Sequence, residues 1–206
     1  IDPSEAYYVD SSSILSGLMT RSLTQYKYDP SSKQMVLVPD LATDLGTHND
    51  NYTQWKFTIR PGVKWENGKP VTAKEVAWGM TRCMDAATFP TGPCQYYSNA
   101  YFKGGSTYKG MYTDPGSKYK GIKVNGDKIT ILMDKPFPDM PYWGTFPANG
   151  PIKEKGSDPK TYKNHPLSTG PYMFKSYSLG KSLVLVKNPY WDPATDPART
   201  QYPDEY

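Results

Sequence analysis

No stretch of this chain of 206 residues approaches the roughly 18 consecutive apolar residues that a membrane-crossing helix needs, which excludes a transmembrane segment. The opening Ile1–Asp10 carries neither a basic tract nor an apolar tract, so no secretory signal is present in it. The common core residues are scarce: Leu, Ile, Val and Phe together make up only about a sixth of the chain. Such scarcity with a high net charge would mean disorder, but the net charge is only +4. Eighteen Tyr and five Trp supply the missing apolar area, since each buries on the order of 150–250 Å². With 17 Gly and 20 Pro, the chain is rich in turns without being low-complexity. The composition predicts a folded protein with an aromatic core and a loop-rich surface.

Charge of one sign is nowhere concentrated. Lys103, Lys109, Lys118, Lys120 and Lys123 alternate with Gly and Tyr, the pattern of a solvated face rather than a phosphate track, so nucleic acid is not expected as a partner. Two Cys and two His, His48 and His165, are too few and too far apart for a zinc site, and neither a metal nor another cofactor is expected. Nucleophile elbows, phosphate-binding Gly-rich loops and His-Glu-x-x-His are all missing. His48 lies in a polar turn and His165 precedes a proline, so both read as surface residues and the chain is not expected to be an enzyme. Cys83 and Cys94 enclose a short segment. They read as a disulfide of an oxidising compartment, with two unpaired buried thiols as the alternative.

Several elements are legible. Val9, Ile14, Leu15, Leu18 and Leu23 fit a short amphipathic helix within residues 9–23. Strict alternation over Trp55-Lys56-Phe57-Thr58-Ile59-Arg60 predicts a strand with one buried face. Thr72-Ala73-Lys74-Glu75 forms a capping box, and Val76, Ala77, Met80 and Met84 then predict a helix of about 12 residues beginning at Thr72. Residues 86–121 form a long irregular segment, which its tyrosines and cysteines mark as an ordered functional loop. Asn125-Gly126-Asp127-Lys128 joins two β-prone runs into a hairpin, and a second hairpin turns around Gly180. Tyr7, Tyr8, Tyr96, Tyr97, Tyr101, Trp143 and Tyr172 either wall a ligand groove or fill a core poor in aliphatics.

The run from Trp55 to Val76, W-K-F-T-I-R-P-G-V-K-W-E-N-G-K-P-V-T-A-K-E-V, resembles the signature of family 5 extracellular solute-binding proteins, the oligopeptide, dipeptide and nickel receptors of ABC importers. Further matches come in the family's order. Ile1-Asp2-Pro3 is similar to its opening Leu-Asp-Pro, Tyr28-Asp29-Pro30 to the turn after its first helix, and Pro39-Asp40-Leu41-Ala42 to its Pro-x-Leu-Ala step. Ser168-Thr169-Gly170-Pro171-Tyr172 resembles Gly-Thr-Gly-Pro-Tyr with Ser168 in place of the first Gly, and Leu183–Trp191 resembles Leu-x-x-Asn-Pro-x-Tyr-Trp.

The resemblance implies a mixed α/β fold, a lobe of the type II periplasmic-binding-protein kind with an inserted subdomain of strands, hairpins and a capped helix. Residues 1–42 and 166–206 would form part of a discontinuous first domain, with 43–165 as the insertion. The chain would start just after the family's first strand and stop before the strand that follows Tyr206, leaving the second lobe of the cleft outside it. By position in the family, Tyr7, Val9 and Asp10, the pair Tyr96 and Tyr97, and Thr169 with Gly170 would reach the ligand. Backbone groups would pair with an extended ligand while aromatics wall side-chain pockets. The implied partners are a peptide or other small solute and the permease subunits of an ABC importer. The implied place is extracytoplasmic, either the periplasm or the outer face of the cell membrane by a lipid anchor lying outside this chain. An oligosaccharide or metal-chelate receptor, and the solute sensor of a transcription regulator, are the alternatives. A secreted hydrolase lacks a nucleophile–base pair.

Overall fold

The alternating run around Trp55 dictates the central sheet. In the computed structural model, which describes residues 1–206, β4 (Gln54–Thr58) buries Trp55 and Phe57 and leaves Lys56 in solvent. Its partner β6 (Lys128–Leu132) sets Ile131 opposite Trp55 and Ile129 opposite Phe57, so one face is apolar throughout. The expected hairpin joins β5 (Ile122–Asn125) to β6 through Gly126, whose φ of +61° suits glycine. With β3 (Thr47–His48) on the other edge, the antiparallel order is β3-β4-β6-β5.

Against this sheet lies α2 (Ala73–Cys83), with Val76, Met80 and Cys83 buried. Its start is as predicted: Thr72 Oγ1 accepts the Glu75 amide at 3.3 Å, and Glu75 Oε2 accepts the Thr72 amide at 2.8 Å. Two further hairpins stand apart from the sheet: β1 (Thr24–Asp29) with β2 (Gln34–Pro39), and β7 (Tyr172–Ser178) with β8 (Ser182–Lys187). The end of the chain closes onto the second of these, since the Tyr206 and Leu185 backbones exchange hydrogen bonds of 3.0 and 3.1 Å. No helix is long and apolar enough to cross a membrane.

Two apolar clusters result. The larger, built around Trp55, Phe57, Val76, Met80 and Trp143, gathers the sheet and α2. The smaller consists of Ala6, Leu15, Met19, Tyr172, Phe174 and Leu185.

The helix expected over residues 9–23 is shorter. Helix α1 covers Val9–Ile14, a π turn continues it through Leu15–Met19, and Thr20 is already extended. Tertiary hydrogen bonds override the periodicity. The Arg21 amide donates to Thr169 Oγ1 at 3.0 Å and the Ser22 amide to Asp40 Oδ2 at 3.2 Å, which a helix through these residues would forbid.

Behind these contacts sits a buried four-charge cluster. Arg21 Nε donates to Asp40 Oδ1 at 2.7 Å, Arg199 Nη1 lies 2.9 Å from Asp40 Oδ2, and the same Nη1 lies 3.2 Å from Asp196 Oδ2. Further guanidinium protons go to the carbonyls of Asp40, Thr195, Ser16 and Thr20 and to the Thr195 hydroxyl. A second buried pair is bidentate, with Arg82 Nη1 and Nη2 each 2.7 Å from one oxygen of Asp2. Its guanidinium also lies over the Phe89 ring at 4.5 Å.

Burial alone would raise the Asp196 carboxyl, but Arg199 and then Arg21 outweigh it and hold the group below the ordinary carboxylate range. A depressed carboxyl stabilises the fold above its unfolded-state pKa of about 3.9, and that contribution is lost as pH falls through the folded value. Urea unfolding followed by tryptophan fluorescence should therefore give a midpoint that declines below about pH 4. Asp196→Asn should lower stability at neutral pH by about 3–5 kcal/mol, because it leaves two buried guanidiniums facing one carboxylate. Thr72→Ala should cost about 1 kcal/mol in the same assay by removing the cap of α2.

Candidate functional site

The irregular segment 86–121 is folded about Asp85. Its carboxylate accepts the Tyr112, Thr113 and Thr88 amides at 2.8, 2.9 and 3.1 Å and the Thr113 hydroxyl at 2.6 Å. Burial pushes this carboxyl up, and the bonds from Thr113, Tyr112 and Thr88 more than compensate, leaving it below the usual range. A disulfide between Cys83, the last residue of α2, and Cys94 fixes the start of the segment, with the Cα atoms 5.8 Å apart. Immediately after Cys94 come Tyr96 and Tyr97, then α3 (Ser98–Tyr101). The strand β6 holds the far end of α3, because the Lys103 amide donates to Leu132 O at 2.8 Å.

Tyr96, Tyr97 and Tyr101 thereby open onto a cavity of about 390 Å³. Its floor is an aromatic stack: Tyr97 lies 4.6 Å from Trp143, which lies 4.8 Å from Phe146, while Tyr101 lies 4.4 Å from Phe137. Trp143 belongs to α4 (Met140–Trp143) and is pinned by its Nε1 donating to Ser98 Oγ at 3.1 Å. Phe137 is pinned from the sheet, where Trp55 Nε1 donates to its carbonyl at 3.0 Å. Tyr26, Asp139 and Tyr142 complete the rim.

The residues expected at a ligand fall into two groups. Tyr7 lies 5.9 Å from Tyr96, ring to ring, so the N-terminal segment meets the mouth of the aromatic cavity. Tyr7, Tyr96 and Val9 are 43%, 57% and 82% exposed, and Asp10, whose carboxylate accepts the Ser11 amide, is exposed as well. The backbone there is unpaired, since the Tyr7 and Tyr8 amides and the Tyr7 carbonyl make no hydrogen bond within the chain.

Thr169 and Gly170 lie elsewhere and are buried. Both their amides donate to Met19 O, at 2.9 and 2.7 Å, and a Cβ on Gly170 would stand 2.7 Å from Leu18 O. The close approach that Gly170 permits is to this chain's own π turn. Ser168, in place of a glycine, adds its hydroxyl to the same knot by donating to Met19 O at 2.8 Å. Of the expected aromatics, Tyr172 is buried in the smaller apolar cluster. Phe137, Asp139, Tyr142 and Phe146 were not singled out, although the aromatic density of residues 137–146 marks them.

A larger and more open concavity of about 890 Å³ lies beside Trp78, Tyr112 and Ser157. Two of its polar residues, Tyr112 and Ser157, are already paired within the chain. Tyr112 OH donates to Ser157 O at 2.8 Å, and Ser157 Oγ donates to Glu154 O at 2.9 Å. The aromatic cavity is therefore the candidate site.

A family model described as "Bacterial extracellular solute-binding proteins, family 5 Middle" matches residues 36–205, and the chain belongs to this family. Among curated proteins it is 32% identical over 162 residues to the oligopeptide-binding protein OppA of Bacillus subtilis, covering 74% of this chain and 28% of that protein. It is 28% identical over 165 residues to the periplasmic murein peptide-binding protein MppA of Escherichia coli, covering 77% and 29% respectively. Among solved structures it superposes on clavulanic acid biosynthesis oligopeptide binding protein 2 with a TM-score of 0.89 and 29% identity, covering 99% of this chain and 36% of that one. The E. coli murein tripeptide binding protein superposes at 0.72 with 22% identity, over 92% and 36%. The fold is thus that of the type II periplasmic binding proteins. The chain spans little more than a quarter of the curated relatives.

The disulfide is the hinge pin of the site, because it ties the tyrosine-bearing turn to α2. Reduction should lower stability by about 3 kcal/mol in the chain-entropy account. Amide exchange should rise first at Tyr96 and Tyr97, and the non-reduced protein should be lighter by two hydrogens.

Proposed function

We propose that this chain forms one wall of the ligand cleft of an extracytoplasmic receptor that captures peptides and delivers them to an ABC permease. The observation that carries the reading is the meeting of the free Tyr7 and Tyr8 amides and Tyr7 carbonyl with an aromatic cavity at Tyr96–Tyr97. An extended peptide needs both: main-chain partners for its backbone and apolar walls for its side chains. Several relatives bear peptide-binding names, which supports the ligand class. Tyr7, Val9, Asp10, Tyr96 and Tyr97 are the contacts in this reading. Thr169 and Gly170 act one layer back, holding the π turn behind the N-terminal segment.

The same reading divides the chain into residues 1–42 with 166–206 as part of a first domain and 43–165 as an insertion. Support comes from the two apolar clusters. Every buried member of the smaller one lies in 1–42 or 166–206, whereas the larger draws all but Leu23, Leu41 and Ala42 from 43–165. The permease would recognise the closed receptor, and any membrane attachment would be a lipid anchor outside these residues.

Calorimetric titration of the full-length protein carrying this sequence with a pool of di- to pentapeptides should give saturable binding, micromolar or tighter. Tyr96→Ala should weaken it about tenfold with an unchanged unfolding midpoint, since the Tyr96 ring is largely in solvent. Absence of heat with folded, ligand-free protein would move the assignment to oligosaccharides or metal chelates.

A further inference from the structure

Five tyrosines line the aromatic cavity, Tyr26, Tyr96, Tyr97, Tyr101 and Tyr142, and none of their hydroxyls hydrogen-bonds within the chain. Elsewhere the phenols of Tyr112, Tyr119 and Tyr172 find carbonyl partners at 2.8, 3.0 and 2.8 Å. The cavity therefore concentrates oxygen acceptors that nothing in the protein uses. One acidic side chain shares the wall: Asp139 is exposed, forms no ion pair, and does not cap α4 although it stands at the cap position. The rings also show what they attract. Lys135 Nζ sits 4.1 Å from the centroid of Tyr101, on a wall of this same cavity.

We infer that the cavity is a side-chain subsite for a cationic residue of the bound peptide, with the guanidinium of arginine as its best occupant. The inference rests on the peptide-receptor reading above. A guanidinium is planar and weakly hydrated, stacks on aromatic faces, and has five donors to distribute among phenol oxygens and a carboxylate. Tyr97 has a face covered by Trp143, and the Tyr101 ring already carries Phe137 and the Lys135 ammonium. The most exposed lining rings are those of Tyr96 and Tyr142, at 57% and 54%, with Tyr26 next, and all three share the cavity with Asp139. A neutral aromatic side chain would find the same walls but would desolvate Asp139 without a counter-charge, an unfavourable exchange. The positive net charge of the chain does not decide the matter, because at physiological salt it is screened beyond about 8 Å while Asp139 is inside the site.

The test uses the full-length protein and tripeptides in which each position in turn carries arginine, its uncharged isostere citrulline, or phenylalanine. Arginine should bind about tenfold tighter than citrulline at one position. Asp139→Asn, shown to be folded by circular dichroism, should narrow that ratio to about threefold or less. Equal affinity for arginine and citrulline at every position, or tighter binding of phenylalanine at the arginine-preferring position, overturns the inference. So does an undiminished ratio in the folded variant. If the variant does not fold, the ratio measured on the unaltered protein decides alone. If no peptide binds, Nα-acetyl-arginine methylamide and its citrulline counterpart are titrated against the same protein. A preference for the arginine compound upholds the subsite while the peptide reading falls, and its absence overturns both.

Discussion

Arg21, Asp40, Asp196 and Arg199 meet where three distant parts of the chain converge, and their side chains are between 0% and 3% exposed. Two cations and two anions cancel, but removing each from water costs several kcal/mol, so the cluster is tolerable only if every lone pair and proton finds a partner. Much of that demand is met by backbone: the Thr195, Asp40, Ser16 and Thr20 carbonyls on the guanidiniums, the Ser22 amide on Asp40, and the Ala198 and Arg199 amides with Trp191 Nε1 on Asp196. That requirement dictates the path of the chain. Residues 20–22 must leave the helix to present these groups, and the segment after β8 must return to the same place although it has no regular structure of its own. A buried ion cluster of this kind gives little net stability over an apolar substitute, but it penalises every other arrangement of the three segments.

Scarcity of aliphatic residues shapes the rest. Trp55, Phe57, Trp143 and Phe137 fill space that leucine and valine fill in most cores, and each aromatic with a polar tip brings an obligation. Trp55 discharges it on the Phe137 carbonyl and Trp143 on Ser98, and both bonds orient walls of the cavity. The core and the candidate site are therefore built from separate aromatic groups, Trp55 with Phe57, Tyr101 with Phe137, and Tyr97 with Trp143 and Phe146, the first joined to the second by the Trp55–Phe137 bond. Distortion of the sheet at β4 would be felt at the ligand face through that bond.

Legibility in the sequence followed the range of the interactions. The β4 strand, the β5–β6 turn and the α2 cap depend on residues a few positions apart, and each lies where alternation, Asn-Gly and Thr-x-x-Glu place it. The Cys83–Cys94 disulfide is also legible, from an even count and a short enclosed segment, and the fold brings the two Cα atoms to 5.8 Å. The end of α1 was misplaced because its cause, Thr169 and Asp40, lies far away in sequence. Tyr96 and Tyr97 could be named from the resemblance. Asp139 and Tyr142 could not, since nothing local to residues 137–146 says which of their aromatics face inward.

The motifs most specific to the family turn out to serve assembly. Asp2 of the opening triplet grips Arg82, Asp40 grips two arginines, Ser168–Gly170 knots onto Met19, and Asn188 Nδ2 donates to Gly170 O at 2.9 Å. Each joins segments that would otherwise have no reason to meet, so each is intolerant of exchange by ordinary physical chemistry. The ligand face obeys no such constraint. Tyr96 and Asp139, both exposed, can be replaced without disturbing the fold, whereas Tyr97 and Tyr101 pack against the core. A chain like this therefore declares its family through buried polar knots.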